Sequence, residues 1–446
     1  MKTDFSEGFY SNDSEKETLA TRNTLLTEQV DTARQEKDNL LLFLKSQLAS
    51  YLGLKVAYWI QGSFKNHTVI RPVRSSDEFD VDVGLYIFSD AEAQGLNASD
   101  AKSLLNKALQ AYCKSHSTAK LEDAKPNCER IRFIDNFHID LPLYYIDEQL
   151  GKCRLATENN GWIDSDPKAL QSWFGNQIKD LSDTEKARLR RVIKAIKTWV
   201  SLKNIKLPSI AISTFIARNY VGYASEEDAI WKLSSSLTSH IVTGGRILSP
   251  INGDDLISAK DEEVSELKRA CLQLQKVLKV VALSESIVVS HQLWSIEFEH
   301  VLPPLNSLKV QAGSENLPAI TTPPQISVKP SSGVPEKVLN NVTVYRGDKL
   351  SFRVHNKSDY SAGSEVIWMV RNTDKDAGLK NDLGHNQRFD ISESVTENCE
   401  YRGKHFMECT ILNAGQIVGI SSVAVNIYPQ QRPVRNPPKK RYGPVR

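Results

Sequence analysis

The chain has 446 residues, 40% hydrophobic and 25% charged, with a formal net charge of +2 from 56 basic and 54 acidic side chains. That balance excludes a collagen-like or wholly disordered protein and argues against a coat protein that holds nucleic acid by bulk positive charge. At roughly 100–200 residues per domain the length predicts two to four domains. The six cysteines (113, 128, 153, 271, 399 and 409) form no CxxC pair. Neither a disulfide framework nor a zinc spacing is expected, and reduced thiols in a cytosol fit best. The polar start, Met1 to Thr18, predicts no secretory signal, and no apolar run approaches the ~18 residues of a membrane span. A cytoplasmic protein is expected.

Residues 15–52 read as one long helix. Leu25, Leu26, Val30 and Ala33 lead at helical spacing into Leu40–Leu44, Leu48 and Leu52, and Gly53 is the stop. The pattern is not a sustained heptad, so a spine helix packed on the next domain is expected rather than a coiled coil. Residues 54–150 alternate strand-like and helix-like pieces. "EFDVDVGLYIF" reads as a near-continuous strand, "DAKSLLNKALQAYC" as an amphipathic helix, and "RIRFIDNFHIDLPLYYI" as two strands joined at Asp135-Asn136. Residues 160–300 are mostly helical, opening at Asp166-Pro167, an N-cap followed by a helix-starting proline. The prolines and small polar residues of 303–340 read as a linker. Residues 341–428 read as short strands of a small β-sandwich, and 429–446 as a basic, proline-rich, disordered tail. The expected fold class is α+β: a catalytic lobe to residue 160, a helical lobe over 161–302, the linker, the β-module and the tail.

The chemistry concentrates in three places. Gly62-Ser63 follows a short strand-like segment. Asp80 and Asp82 stand two apart on an apolar strand, so both carboxylates point to one face. Asp140 lies in "FHIDLPLY", another apolar strand. Adjacent carboxylates in an apolar strand repel each other, and a divalent cation between them removes that cost. Three carboxylates on neighbouring strands suit a two-Mg²⁺ site for phosphoryl or nucleotidyl transfer, with Mn²⁺ as a substitute. The Gly62 backbone can approach phosphate closely, and the Ser63 hydroxyl and N–H can donate to it.

Read together, Gly62-Ser63, Asp80-Val81-Asp82 and "HIDLPLY" (138–144) resemble the polymerase-β-like nucleotidyltransferases. Within them the chain resembles the bacterial cGAS/DncV-like nucleotidyltransferases of antiphage defence. "WIDSDPKALQSWF" (162–174), "RLRRVIKAIKTWV" (188–200), "ILSPINGDDLIS" and "LWSIEFEH" resemble that family's helical lobe. "VIWMVRNT" and the run from Tyr401 to Ile427 resemble the adenylyl/guanylyl and SMODS C-terminal sensor domain. The resemblance implies that Asp80 and Asp82 bind both metals and that Asp140 joins them and orients an acceptor hydroxyl. It also implies that Gly62 and Ser63 hold the β- and γ-phosphates. Lys194 and Lys197, three apart on one helix, are the triphosphate candidates, Lys197 before Lys194. Arg71 and Arg74, in the loop before the aspartates, are weaker phosphate candidates. His138 reads as a satisfied strand histidine, Gly244-Gly245-Arg246 as a turn, and Trp162, Trp173 and Trp199 as core.

The implied activity is metal-dependent, template-independent transfer from ATP, dATP or another nucleoside triphosphate. Its product is a nucleotide signal read by a downstream effector, by family prior a cyclic di- or trinucleotide. The tail adds an alternative. Tyr442, flanked by Lys439, Lys440 and Arg441, could prime a linear oligomer such as oligodeoxyadenylate, a layout similar to the Hailong-type defence enzymes, and the tail's charge could contact nucleic acid. A non-catalytic nucleotide sensor is a further alternative, against which the intact aspartates argue.

Overall fold

The computed structural model describes residues 4–88, 95–123, 125–147, 151–257, 260–305, 323–331, 335–373 and 375–429. It divides into two units: one of residues 1–317 together with 379–383, the other of 318–378 and 384–446. Tyr442 and the rest of the tail beyond Pro429, proposed to carry a primer, lie outside the described residues.

The first unit begins with two single-turn helices, α1 (Ser6–Phe9) and α2 (Leu19–Arg22), before the long helix α3 (Thr27–Leu52). The expected continuous helix over 15–52 is therefore wrong at its start. Thr18 and Thr21 close a capping box that opens α2, and the chain turns out of it at Asn23. Leu26 has extended backbone at the next helix entry. The stop is as expected: Gly53 caps α3 with a φ of 66°. Leu40, Leu41, Leu44 and Leu48 of α3 are buried against the sheet, the expected spine packing.

Strand β1 (Val56–Gln61) runs into a single turn, α4 (Gly62–Lys65), and then β2 (Phe79–Phe88). After α5 (Ala98–Ser115) come β3 (Ala119–Leu121), β4 (Glu129–Phe133), β5 (Phe137–Leu141), β6 (Leu143–Asp147), β7 (Lys152–Ala156) and β8 (Trp162–Asp164). The segment read as two strands holds three. The hairpin turns where expected, with Asn136 at φ 61°, and Pro142, which has no N–H for the ladder, separates β5 from β6. The sheet order is β3-β4-β5-β2-β6-β7-β8, with β1 antiparallel to β2. Both β5 and β6 run parallel to β2.

Strand alternation decides what β2 presents. Val81, Val83, Leu85 and Ile87 are buried with α3 and α5, each contributing about 1.5–3 kcal/mol by leaving water. Asp80, Asp82 and Tyr86 necessarily take the opposite face, where Tyr86 stacks on Tyr144 at 5.0 Å.

The rest of this unit is helical: α6 (Pro167–Ile178), α7 (Asp183–Leu202), α8 (Ser209–Asn219), α9 (Glu226–Val242), α10 (Asp261–Val281) and α11 (Ile287–Phe298). The Asp166 side chain caps α6 as expected, accepting from the Ala169 N–H. Ser182 and Glu185 form a capping box at α7. Phe5, Phe9 and Leu19 from the N-terminal segment join the helical core, with Phe9 edge-on to Trp294 at 5.0 Å.

The second unit is a β-sandwich, and it starts earlier than the sequence suggests. Strands β9 (Ile326–Pro330) and β10 (Lys337–Val338) fall inside the span read as a linker. They join β12 (Lys349–Val354) and β15 (Val395–Asn398) in one sheet. The other sheet holds β11 (Asn341–Tyr345), β13 (Glu365–Arg371), β14 (Gly384–Asp390), β16 (Gly403–Asn413) and β17 (Gln416–Tyr428). Both sheets contribute to one core around Phe352, Trp368 and Cys409.

Candidate active site

The strand-to-turn junction builds the floor of a cleft of about 780 Å³ that Gly62, Ser63, Asp80, Asp82 and Lys197 all line. Gly62 has a φ of 65°, and a Cβ there would collide with the Asp82 carboxylate. Glycine is thus required twice, for the left-handed backbone and for the close approach. The carbonyls of Gly62 and Ser63 accept from the N–H groups of Asn66 and Thr68, which folds the chain over the turn and brings those residues to the cleft wall.

Register sets the acidic cluster. On the parallel neighbours β2 and β5, Asp80 pairs with His138 and Asp82 with Asp140. The His138 Nε2 meets an Asp80 oxygen, and its Nδ1 lies 3.1 Å from Glu78. His138 is therefore a link between Glu78 and Asp80 and not merely a satisfied strand residue. Partial burial would raise the Asp80 carboxyl, but the hydrogen bond and charge of His138, with Arg130 and Lys197 beyond, hold it below the ordinary range. Asp82 goes the other way. Burial, then the charges of Asp80 and Asp140, push it up to about 7.

Asp140 is held by a two-pronged ion pair from Arg130, at 2.5 and 2.6 Å. It is not among the residues that line the cleft. Among the described residues, no three His, Cys, Asp or Glu side chains stand together as a ready-made metal cage. The donor set nevertheless fits a divalent cation. Hard carboxylate oxygens of Asp80 and Asp82 share a face, and a carboxyl pushed to about 7 by burial and like charges signals a place where a cation would stabilise the ionised form.

Lys197 is buried on α7, and its Nζ donates to the Thr68 carbonyl at 2.8 Å. Burial lowers it to about 8, against the pull of Asp80 and Asp82. Lys194 stands off the cleft, donating to Thr24 Oγ1 at 3.2 Å. Arg71 is also turned away. It is buried at 4% exposure, and burial followed by the charge of Arg22 lowers it to about 10. Arg74 does reach the cleft wall, but its guanidinium is spent on the α7 C-terminal carbonyls of Ser201 and Leu202, both at 3.2 Å. Trp162 and Trp199 are core as expected. Trp173 is core only in part: half-buried against the helical core, it also lines the cleft and carries the Arg218 guanidinium 5.4 Å from its ring.

Two groups were missed in the sequence. Arg130 and Arg132 stand opposite Asp140 and His138 across the β4–β5 hairpin, and counting outward from the Asp135-Asn136 turn would have found both. The polar wall of Ser201, Asn204, Ser209 and Ser213 comes from the end of α7 and the start of α8. No local pattern marks those residues, because tertiary packing alone brings them there.

The family model of the cyclic GMP-AMP synthase DncV-like nucleotidyltransferase domain matches residues 56–144, and that of the adenylyl/guanylyl and SMODS C-terminal sensor domain matches 317–428. A cyclic GMP-AMP synthase of Escherichia albertii is 34% identical over 440 residues, covering 95% of this chain and 96% of that protein. A c-di-GMP synthase of Roseivirga ehrenbergii is 23% identical over 219 residues, 43% of this chain and 56% of that one. In fold, the chain is similar to Vibrio cholerae DncV cyclic AMP-GMP synthase crystallised with a linear pppApG intermediate. The TM-score is 0.59 at 16% identity, over 70% of this chain and all of that one.

Proposed function

Since the chain belongs to the cyclic GMP-AMP synthase DncV-like nucleotidyltransferases, we propose that it joins ATP and GTP into a free cyclic dinucleotide that signals to a downstream effector in antiphage defence. The similarity to the Escherichia albertii cyclic GMP-AMP synthase, which runs through both units, carries the choice of product.

In each transfer an acceptor hydroxyl attacks the donor α-phosphorus. A new phosphoester bond forms, the hydroxyl proton is released to solvent, the α–β phosphoanhydride breaks, and pyrophosphate leaves. A second transfer closes the ring. Gly62 and Ser63 receive the β- and γ-phosphates on the exposed turn, and the Lys197 ammonium offsets their charge from the cleft wall. Asp80 and Asp82 are the residues that would hold Mg²⁺. When bound, the divalent cations neutralise the triphosphate and acidify the attacking hydroxyl. Asp140 would join this set by exchanging its Arg130 partner, and would then orient the acceptor hydroxyl.

The test is to incubate the full chain with Mg²⁺ and all four ribonucleoside triphosphates, then take mass spectra of the small-molecule fraction and of the intact protein. A free cyclic dinucleotide holding one adenosine and one guanosine is expected. A ladder of nucleotide masses on the protein, or no nucleotide product, would overturn this reading.

A further inference from the structure

The cleft accounts for Lys197 but leaves a run of cations just outside it. Arg190, Lys194 and Lys197 stand four and three apart on α7 and so share one helix face over about 10 Å of rise. The loop over the phosphate turn rides along this face. Arg190 Nε donates to the Asn66 carbonyl at 3.2 Å, and Lys197 Nζ to that of Thr68. Asn66 and Thr68 line the cleft, whereas Arg190 and Lys194 lie behind them. Lys65, the last residue of α4, and His67 flank Asn66 and are exposed, and Arg34 of α3 is exposed and near enough for its charge to act on His67.

Around the His67 imidazole, partial burial and the charges of Arg190, Lys194, Lys65 and Arg34 all act in one direction and depress its basicity. Among the described residues, the acid paired with this group is Asp31, 3.5 Å from Arg34 and one turn before it on the same helix. The turn separating this cluster from Gly62 and Ser63 is a single helical turn thick. Charges within about 10 Å of the cleft act on a polyanion there at ordinary salt.

We propose that Arg34, Lys65, His67, Arg190 and Lys194 form an outer binding site for condensed phosphate, which draws in the triphosphate tail of the incoming nucleotide and receives pyrophosphate as it leaves. The proposal rests on the nucleotidyl-transfer reading for its role, but the site itself can be tested without any reaction. Its chemistry is that of an electrostatic funnel: exposed like charges beside a concave site raise the local concentration of an oppositely charged ligand. The α7 ladder gives that funnel a direction, because Lys197 is its inner rung.

The experiment titrates inorganic tripolyphosphate and pyrophosphate into the full chain by calorimetry at about 50 mM and about 500 mM salt. The wild type is compared with Arg34→Glu/Lys65→Glu and with the milder Arg34→Gln/Lys65→Gln. Expected is about a tenfold loss of affinity for the glutamate pair at low salt, a smaller loss for the glutamine pair, and convergence with the wild type at high salt. Equal affinities at low salt would overturn the proposal. So would a difference that persists at high salt, which marks a structural effect. Tighter binding of a single-stranded oligonucleotide than of tripolyphosphate at the same cluster would also overturn it. Should the glutamate pair fail to fold, the glutamine pair still reads the low-salt loss and its disappearance at high salt. A chain that yields no nucleotide product yet binds tripolyphosphate in this way loses the nucleotidyl-transfer reading and keeps the phosphate site.

Discussion

The Asp82 carboxylate occupies the space that a side chain at Gly62 would need. Phosphate turn and acidic strand are thus fitted to one another through a missing methyl group. Gly62→Ala must either push Asp82 aside or shift the turn, and it places alanine in a left-handed conformation costing about 1–2 kcal/mol. Turnover is expected to fall about 100-fold, because displacing reacting groups by around an ångström costs that much. The melting temperature should drop by only a few degrees. A product assay beside a thermal melt checks this, and full activity would show that the fit is not needed.

Asp80→Ala and Asp82→Ala are each expected to abolish nucleotide transfer while the chain still folds, since each removes a proposed cation ligand and neither belongs to the buried face of β2. Full activity in the verified double variant would sink the carboxylate mechanism. Circular dichroism separates lost chemistry from lost fold.

Arg130 competes with any cation for Asp140. Removing it should therefore tighten divalent binding even as it loosens the protein. Arg130→Ala is expected to melt below the wild type in chelator and to gain more from added Mg²⁺ or Mn²⁺, as mass action on the native state requires. Thermal melts across a metal titration read this directly. An identical metal response in the two proteins would place Asp140 outside the ion's reach.

Lys194 gives the stability curve a testable slope. Burial, with Arg191 nearby, lowers it to about 8 from 10.5. The folded state then binds fewer protons than the unfolded one between those values, so stability rises with pH from 8 towards 10.5. Below pH 8 the full cost of the buried charge is present. Lys194→Met should remove that slope and raise stability near pH 7 by about 1–3 kcal/mol, less whatever the bond to Thr24 contributes. Urea unfolding at pH 7 and pH 9.5 measures both effects, and parallel curves for the two proteins would contradict it.

What the sequence disclosed follows from the range over which each feature is encoded. Gly62-Ser63 on a turn after a strand, Asp80 and Asp82 two apart on a strand, and the end of α3 at Gly53 are written within a few residues of themselves, and the structure shows each of these placements. The Arg130 pair with Asp140 was legible only through hairpin arithmetic. Ser201, Asn204 and Ser209 were not legible at all, because their meaning depends on α7 and α8 meeting the turn at residues 62–68. The early break between α2 and α3 was hidden for a related reason. Leu25 and Leu26 continue the helical period, while the contact that marks the new start, the Gln29 side chain accepting from the Leu26 N–H, looks in sequence like any polar position of a helix.

Pro142 interrupts the strand beside β2 without shifting it: Asp82 faces Asp140 before the break, and Leu85 faces Leu143 after it, at the same offset. The acidic cluster is therefore indexed by chain length rather than by composition. Insertion or deletion of one residue between Phe79 and Asp82, or between Phe137 and Asp140, would rotate a carboxylate into the apolar layer and bring a valine or isoleucine to the acidic face. Point changes at Val81 or Ile139 leave that indexing intact. For anyone recombining or shuffling this scaffold, these two four-residue stretches are fixed-length cassettes, and crossovers belong in the connections outside them.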